Sequence, residues 1–309
     1  MKIIKPAFWD KKISFLSILL LPISLIYSLL IFLKRKFTKI HTFKFPIICI
    51  GNIYIGGTGK TPTSILLAKE LLKLGKKPVI IRKFYEDQKD EFRLIKYYFE
   101  HLIINKNRIT SLKEAEKSNF DIALLDDGLQ DYKIKKDLNI VCFHQKQLIG
   151  NGMTLPAGPL RENLAALKRI DIVIINGEKD ENFEKKLLAV NKKIEIFYSL
   201  YKPLNLDEFK NKKLLAIAGI GNPENFFDLL KKNNLKIEKK IIFPDHYQFK
   251  KKEVQDIVKE AESKNYQIIM TEKDYFKIKN YNFEQINYLK VSLEINRKDK
   301  LLKKLNLHD

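Results

Sequence analysis

The sequence predicts an α/β protein: a doubly wound parallel sheet, preceded by a long apolar helix and followed by a second, smaller α/β domain. Three observations support this prediction. Short apolar runs alternate with amphipathic stretches along most of the chain, residues 13–33 carry no charge, and a glycine-rich loop separates the first short run from the stretch that follows it. Alternation of this kind is typical of strands in a parallel sheet connected by helices.

The composition indicates a globular protein with an anionic partner. The chain has 309 residues, 45% of them hydrophobic, and a formal net charge of +21, whereas domains usually contain about 100–200 residues. The charge suits a membrane surface, a phosphorylated lipid or nucleic acid. Nucleic-acid readers combine arginine with exposed aromatic residues; only seven of the 58 basic residues are Arg, and we expect no nucleic acid. Cys49 and Cys142 lie in apolar runs and are predicted to be buried thiols, without metal-ligand spacing.

Residues 13–33 form the apolar segment. About 20 apolar residues suffice to span a bilayer, and basic residues flank this segment on both sides. Four serines fall on one side of the predicted helix, and Pro22 lies within it; they are Ser14, Ser17, Ser24 and Ser28. This polar stripe is compatible with a span, with a helix in the membrane interface or packed on the protein's own domain, and with a buried core helix. We expect membrane attachment, and the sequence leaves its depth open.

The glycine-rich loop follows the first predicted strand, residues 46–50, and precedes a predicted helix at residues 63–74. Strand, glycine loop, Gly-Lys-Thr and helix form the context of a phosphate-binding loop, in which backbone N–H groups surround an anion at a helix N-terminus. In this interpretation Lys60 contacts the outer phosphates of a nucleotide and Thr61 holds Mg²⁺. The predicted binding residues are Gly56, Gly57, Thr58, Gly59, Lys60, Thr61 and Pro62. Tyr54 stands where the strict pattern has glycine, and a structural glycine turn is the alternative.

Two carboxylates follow the predicted strand at residues 120–125. Ligands gather at the carboxyl ends of strands in open α/β sheets, and Mg²⁺ prefers oxygen ligands. We therefore predict Asp126 and Asp127 as a metal site; a helix N-cap is the alternative for one of them. Further strands are predicted at residues 138–143 and 171–175.

From residue 7 to about residue 276 the chain resembles a known family. Six segments carry the resemblance, in this order: GNIYIGGTGKTP (51–62), DDGLQ (126–130), GNGMTLPAGPLRE (150–162), AGIGNPENFF (218–227), FPDHYQF (243–249) and TEKD (271–274). Together they are similar to tetraacyldisaccharide 4′-kinase, the lipid A 4′-kinase of Gram-negative bacteria. The phosphate loop of that family departs from the strict pattern in the same way.

The resemblance implies an enzyme at the cytoplasmic face of the bacterial inner membrane, with ATP and Mg²⁺ as cofactors. It would transfer the γ-phosphoryl group to the 4′-hydroxyl of an acylated glucosamine disaccharide, giving lipid IV-A. Arg161 would face the phosphates, and Glu162 would support the metal site. Asp90 would be the catalytic base, supported by His246. Without the resemblance, a solvated helix start is the favoured interpretation of Asp90, and His246 could equally be a structural histidine.

Three features depart from that family. Residues 81–86 read IRKFYE where the family has Ser-Arg-Gly-Tyr-Gly, Lys89 replaces a glycine before Asp90, and Asp131 replaces a histidine. These changes surround the predicted acceptor site. The sequence alone leaves open a variant acceptor, a rebuilt loop or reduced activity.

The predicted organisation is a membrane-associated helix at residues 1–40, a nucleotide-binding kinase domain at 41–203 and a smaller α/β domain at 204–309. In the smaller domain we predict strands at 212–218, 237–243 and 267–270 and helices at 223–234 and 250–263. Residues 194–201 and 286–295 alternate in polarity and are predicted to pair as a two-stranded linker. A catalytic pair split between Lys60 and His246 would imply domain closure over substrate. The oligomeric state stays open.

Two other functions fit part of the sequence. A phosphate-loop kinase or NTPase with another membrane-bound acceptor accounts for the loop, the aspartates and the apolar helix. A membrane-tethered nucleotide- or nucleic-acid-binding module accounts for the charge, and would show steep salt dependence without ATP consumption.

Overall fold

The structure is a computed structural model that describes residues 6–245 and 247–305. The chain forms two compact units. The first comprises Met1–Phe84, His101–Leu200 and Ile295–Asp309, and the second comprises Tyr85–Glu100 and Tyr201–Glu294. Residues 85–100 therefore belong to the second unit, although the chain enters and leaves them from the first.

The apolar segment is a helix, α1 (Phe15–Phe37), that continues through Pro22. Within the described residues it is the one helix long and apolar enough to cross a membrane by length and composition. Ser17 and Ser24 are buried, whereas large apolar residues on the other faces are exposed, such as Phe15 at 79% and Leu25 at 63%. The interpretation as a buried core helix is therefore wrong.

The serine stripe of α1 packs against the loop at residues 151–157 of the same unit. The Ser24 hydroxyl donates to the Thr154 carbonyl (2.9 Å) and accepts from the Ala157 N–H (2.9 Å). The Ser17 hydroxyl accepts from the Asn151 side-chain amide at 3.2 Å. These bonds satisfy polar groups that would be costly to bury unpaired, and they fix which face of the helix is free.

The first unit is built on a parallel sheet. Its strands are β1 (Ile47–Gly51), β2 (Pro78–Lys83), β3 (Leu102–Asn105), β4 (Ile122–Asp126), β5 (Leu138–His144), β6 (Ile172–Asn176) and β7 (Glu195–Pro203). Their order is β7-β6-β5-β1-β4-β2-β3, and every one of these neighbouring pairs is parallel. β1 lies between β4 and β5, so the loop after β1 opens near the middle of the sheet.

Helices connect these strands, as the sequence predicted. They are α2 (Lys60–Lys73), α3 (Lys89–Tyr98, in the second unit), α4 (Arg108–Lys117) and α5 (Glu181–Val190). β1, β4 and β6 are buried at every position, as expected of strands covered on both faces. The predicted fold class is confirmed. α2 begins three residues earlier than predicted, because Gly59 in a left-handed conformation (φ 90°) precedes its first turn.

The second unit contains a four-stranded parallel sheet. Its strands and helices are β8 (Lys213–Ala218), α6 (Pro223–Lys232), β9 (Lys236–Ile242), α7 (Lys251–Ser263), β10 (Gln267–Thr271), α8 (Glu272–Ile278) and β11 (Ile286–Leu289). The strand order is β11-β10-β8-β9. One apolar cluster includes Phe227 and the other includes Val258, with β8 residues contributing alternately to the two. The alternation shows that this sheet is also covered on both faces.

The predicted pairing of the run at residues 286–295 with the run at residues 194–201 is confirmed for its second half only, because the run forms two strands. It divides at Lys290 into β11 and β12 (Val291–Ile295). β11 belongs to the four-stranded sheet, and β12 pairs with β7 in the larger sheet. The Lys290 carbonyl accepts from the Leu204 N–H at 2.9 Å, so hydrogen bonding changes partners there. The last helix of the described residues is α9 (Lys298–Leu305).

Candidate active site

The glycine loop connects β1 to α2 and keeps its shape through Asn52. The Asn52 amide donates to the Gly56 carbonyl and to the Thr58 hydroxyl, both at 3.1 Å. A Cβ at Gly56 or Gly57 would meet nothing within 4 Å, and Gly56 has a φ of +111°. The loop thus presents open space before the first turn of α2, where unpaired backbone N–H groups and the helix dipole favour an anion.

Thr61 and Asp126 meet at the carboxyl ends of β2 and β4. The Thr61 hydroxyl donates to Asp126 Oδ2 at 3.0 Å, and the Ser64 hydroxyl donates to Oδ1 at 3.2 Å. Arg82, the last residue but one of β2, pairs with Asp126 in the sheet register, and its guanidinium forms an ion pair with the Asp126 carboxylate. The Asp126 side chain is completely buried and that of Arg82 is 4% exposed. The sequence predicted Asp126 here but did not identify Arg82 or Ser64.

We expect Arg82→Met to destabilise the first unit by about 3–5 kcal/mol, the usual cost of leaving a buried charge without its partner. The measurement is urea unfolding followed by circular dichroism. Arg93→Met is the matched control: Arg93 is exposed on α3, so its loss should change stability by less than about 0.5 kcal/mol. Equal stability of the two variants would mean that the Thr61 and Ser64 hydroxyls alone hold the Asp126 carboxylate.

Asp127 lies between two cations. Its Oδ1 is 3.6 Å from Lys60 Nζ and 2.9 Å from an Arg161 guanidinium nitrogen. Burial alone would raise the pKa of Asp127, but the positive charges, those of Lys60 and Arg161 first, outweigh burial and hold it well below its ordinary value. Asp127 has a φ of 57°, a conformation that aspartate tolerates better than most residues. The structure therefore brings three predicted site residues together: Lys60, Asp127 and Arg161.

Arg161 reaches the glycine loop because its own segment pairs with that loop. The Arg161 N–H donates to the Ile53 carbonyl at 2.7 Å, and the Ile55 N–H donates to the Pro159 carbonyl at 2.9 Å. Tyr54, which replaces the glycine of the strict pattern, is fully buried there. The PAGPLRE segment is thus one wall of the phosphate loop, which explains why the two motifs occur together in one chain.

Glu162 accepts two hydrogen bonds from Arg169, at 2.6 and 2.8 Å, and one from the Gln130 amide at 3.0 Å. A 3-10 helix, Leu164–Arg169, brings the arginine back onto the carboxylate seven residues earlier. The Glu162 carboxylate is therefore already paired with Arg169, a cation of its own segment. Its role as a metal ligand stays a prediction.

Asp131, which replaces the histidine of the resembled family, pairs with Arg108 at 3.5 Å. Arg108 also donates to the backbone carbonyls of Asp126 (3.3 Å) and Asp127 (2.8 Å). Asp131 thus helps to hold an arginine that supports the backbone of both candidate metal ligands. Sequence reasoning missed Arg108, since nothing in its spacing points to residues 126 and 127.

The residues present fit a nucleotide triphosphate with Mg²⁺. Gly56 and Gly57 leave space at a helix N-terminus, and the Lys60 side chain is 12% exposed. The Thr61 hydroxyl is hydrogen-bonded to the Asp126 carboxylate. Across residues 6–245 and 247–305, no three His, Cys, Asp or Glu side chains form a preassembled metal site.

Asp90 lies in the second unit, at the second residue of α3. Its side chain is only 1% exposed and lies 3.5 Å from Lys273 Nζ. The interpretation of Asp90 as a solvated helix start is therefore wrong. His246, its predicted partner, lies outside the described residues.

A cavity of about 550 Å³ lies between α1 and the segment that follows Arg161. Ile31 and Phe32 contribute apolar walls, and the charged residues of its lining are Arg35, Lys168 and the ion pair of Arg169 with Glu162. This combination suits an amphiphilic molecule that carries an anionic group.

Comparisons with known proteins agree over nearly the whole chain. The model of the family described as tetraacyldisaccharide-1-P 4′-kinase matches residues 16–308. A tetraacyldisaccharide 4′-kinase of Pelagibacter ubique (strain HTCC1062) is 45% identical over 99% of this chain and 98% of its own length. One from Francisella tularensis subsp. novicida is 34% identical, over 93% of this chain and 98% of its own length.

A solved structure is similar as well. It is a crystal structure of the "apo" form of LpxK from Aquifex aeolicus in complex with ATP. It is 25% identical, has a TM-score of 0.72, and the match covers 94% of this chain and 98% of that one.

Proposed function

This chain belongs to the tetraacyldisaccharide-1-P 4′-kinase family, and we propose that it transfers the γ-phosphoryl group of ATP to the 4′-hydroxyl of a tetraacyldisaccharide 1-phosphate. The product is lipid IV-A, an intermediate of lipid A biosynthesis. The observation that carries the proposal is the contact of Lys60 and Arg161 with one oxygen of Asp127, beside an open glycine loop.

The proposed site residues act mainly by positioning and by charge. The glycine loop and the N-terminus of α2 bind the phosphates, and Lys60 and Arg161 neutralise charge that develops on the transferred group. Asp127 holds both cations in place. Thr61 and Asp126 would hold Mg²⁺, directly or through water, and the ion would supply positive charge next to the phosphates.

In the proposed mechanism, Asp90 accepts the proton of the 4′-hydroxyl as that oxygen attacks the γ-phosphorus. The bond from phosphorus to the β,γ-bridging oxygen breaks, and ADP leaves with that oxygen. The proposal rests on the position assigned to Asp90 by the family resemblance and on its ionic surroundings, described below.

The test of the function is phosphoryl transfer with labelled ATP, Mg²⁺ and tetraacyldisaccharide 1-phosphate in detergent. We expect label at the 4′ position. ATP binding without any transfer to this acceptor would contradict the proposal and would direct attention to the altered segment at residues 81–91.

We also propose that the protein acts at the cytoplasmic face of the bacterial inner membrane, with α1 lying in the membrane interface. Residues from Ser17 to Ser28 of α1 bond to the enzyme's own loop, a length of about 16 Å at 1.5 Å per residue. A spanning helix would draw that loop into hydrocarbon, where irregular backbone facing lipid is not tolerated. An in-plane helix keeps its serines on the protein and its apolar face in lipid.

The double substitution Ile18→Glu and Leu25→Glu should lower binding to anionic phospholipid vesicles at least about 10²-fold, because burying two such side chains contributes about 3–6 kcal/mol. Both residues are exposed, at 56% and 63%, so folding should be retained. Flotation with vesicles measures the change. Leu72→Glu with Leu188→Glu, two exposed leucines outside α1, is the matched control. Equal flotation of both double variants would show that α1 does not enter lipid.

A further inference from the structure

The TEKD segment, residues 271–274, connects β10 to α8 in the second unit and is held by side-chain hydrogen bonds. Thr271 caps α8, since its hydroxyl accepts from the Asp274 N–H at 3.2 Å and donates to the Asp274 carboxylate at 2.6 Å. Asp274 is completely buried and also accepts from the Gly219 N–H at 2.7 Å. A Cβ at Gly219 would lie 3.1 Å from Asp274. The segment thereby fixes the start of α8 to the loop after β8.

The ammonium group of Lys273, a residue of this segment, lies close to three carboxylates. Its Nζ lies 3.5 Å from Asp90, 3.1 Å from Glu91 and 3.2 Å from Asp245. Asp90 and Glu91 begin α3, whereas Asp245 precedes α7. One ammonium group therefore links three elements at the point where Asp90 is held.

The surroundings of Lys273 favour the protonated, positively charged form of its side chain. The side chain is 17% exposed, and burial alone would lower the pKa of Lys273. The carboxylates, in the order Glu91, Asp245 and Asp90, outweigh burial and raise that pKa well above its usual value. Lys273 is thus a permanent cation beside Asp90.

Lys277, one turn further along α8, supports the same carboxylate. Its Nζ is 3.8 Å from Asp90 Oδ2, 2.6 Å from Asp274 Oδ1 and 3.2 Å from the Gly219 carbonyl. Of the two ammonium groups, that of Lys273 lies nearer to the Asp90 carboxylate, at 3.5 Å against 3.8 Å for Lys277.

We propose that Lys273 is a positioning residue for phosphoryl transfer: its ammonium group orients the Asp90 carboxylate so that this carboxylate can accept the acceptor's proton. This inference rests on the proposed function, since it takes Asp90 as the base. It gives the TEKD segment a role that follows from its contacts.

The direction of the pH effect follows from the charges around Asp90. Removing Lys273 takes away a positive charge 3.5 Å from Asp90 and leaves the negative charges of Glu91 and Asp245 nearby, so protonation of Asp90 becomes easier. An opposite charge within about 4–6 Å changes a carboxyl pKa by about 1–3 units. The charged groups that form ion pairs around Asp90 are Glu91, Asp245, Lys273, Asp274 and Lys277. The elements that carry these groups also carry Glu86, Lys89, Arg93, Lys96, Lys250 and Glu272. His246, next to Asp245 in sequence, lies outside the described residues.

The test compares 4′-transfer by the wild type, Lys273→Met and Lys273→Arg between pH 5 and pH 9. Misplacing a catalytic group by about 1 Å can cost about 10²-fold in rate, and we expect a loss of this size in kcat for Lys273→Met. We also expect the acidic limb of its pH profile to move to higher pH by about 1–3 units. Lys273→Arg, which keeps the charge, should restore the wild-type limb.

The control is Lys279→Met, which removes an exposed positive charge just beyond α8 and should leave both kcat and the pH profile unchanged. Thermal unfolding of each variant separates loss of folding from loss of chemistry. If Lys273→Met does not fold, Lys273→Gln replaces it. Failure of both to fold would mean that Lys273 is only structural, and the inference would be wrong.

A double-mutant comparison distinguishes this inference from the proposed function. In an Asp90→Asn background, Lys273→Met should reduce the residual rate less than about threefold, because residues acting through one group are not additive. If the losses in rate of the two single variants multiply in the double variant, the inference is wrong. It is also wrong if the acidic limb of the pH profile of Lys273→Met stays at the wild-type pH. Neither result contradicts the kinase function. Absence of 4′-transfer by the wild type would overturn the function and the inference together.

Discussion

Replacing Lys60 by alanine should lower the rate of 4′-phosphoryl transfer by at least about 10²–10³-fold, the usual effect of removing one group that stabilises transition-state charge. Lys60 opens α2 and lies 3.6 Å from Asp127, which it shares with Arg161. Without Lys60, only Arg161 of this pair remains to neutralise the Asp127 carboxylate. The carboxylate would then repel the phosphates more strongly. Initial rates over a range of ATP concentrations give kcat and the KM for ATP separately.

The matched control for Lys60→Ala is Lys73→Ala, at the other end of the same helix. Lys73 is 69% exposed and pairs on the surface with Glu70, a contact worth about 0–1 kcal/mol. It should leave transfer unchanged. If Lys60→Ala raises only the KM for ATP and keeps kcat, Lys60 binds the ground state alone and Arg161 supplies the transition-state charge.

Much of this site could be predicted from the sequence because its signals are local. Residues 46–50 are apolar on both faces and precede a glycine loop, and Asp126 and Asp127 directly follow another such run. Parallel strands carry their ends to the same edge of a sheet. The strands, the loop and the meeting of Lys60 with Asp127 follow from these facts.

What the sequence did not reveal depends on strand register and on long excursions of the chain. Arg82 meets Asp126 because β2 pairs with β4, in a register that places the two residues side by side. Residues 85–100 leave the first unit and return to it, and no local pattern marks such a detour. The partners of Lys273 are likewise separated from it by 28 residues or more.

Asp90→Asn should lower the rate of transfer by about 10²–10⁴-fold, the range expected for loss of a general base. The substitution keeps the size of the side chain but removes both its negative charge and its capacity to accept the proton. Asp90 is buried at the start of α3, with Lys273 at 3.5 Å and Lys277 at 3.8 Å. In Asp90→Asn these two lysines lose a negatively charged neighbour, so the variant should also be less stable. Rates measured at saturating ATP and acceptor report the chemical defect, and thermal unfolding reports the stability defect separately.

Asp256→Asn provides the comparison, since Asp256 is an exposed aspartate on α7 of the same unit and its loss should not affect transfer. The pH profile gives a second, independent criterion. If Asp90 is the base, the acidic limb of kcat should disappear in Asp90→Asn, because the group that loses its activity on protonation is gone. A variant that keeps the limb and loses less than about tenfold in rate would place the base elsewhere, while the roles of Lys60 and Arg161 would stand, since their contacts lie wholly within the first unit.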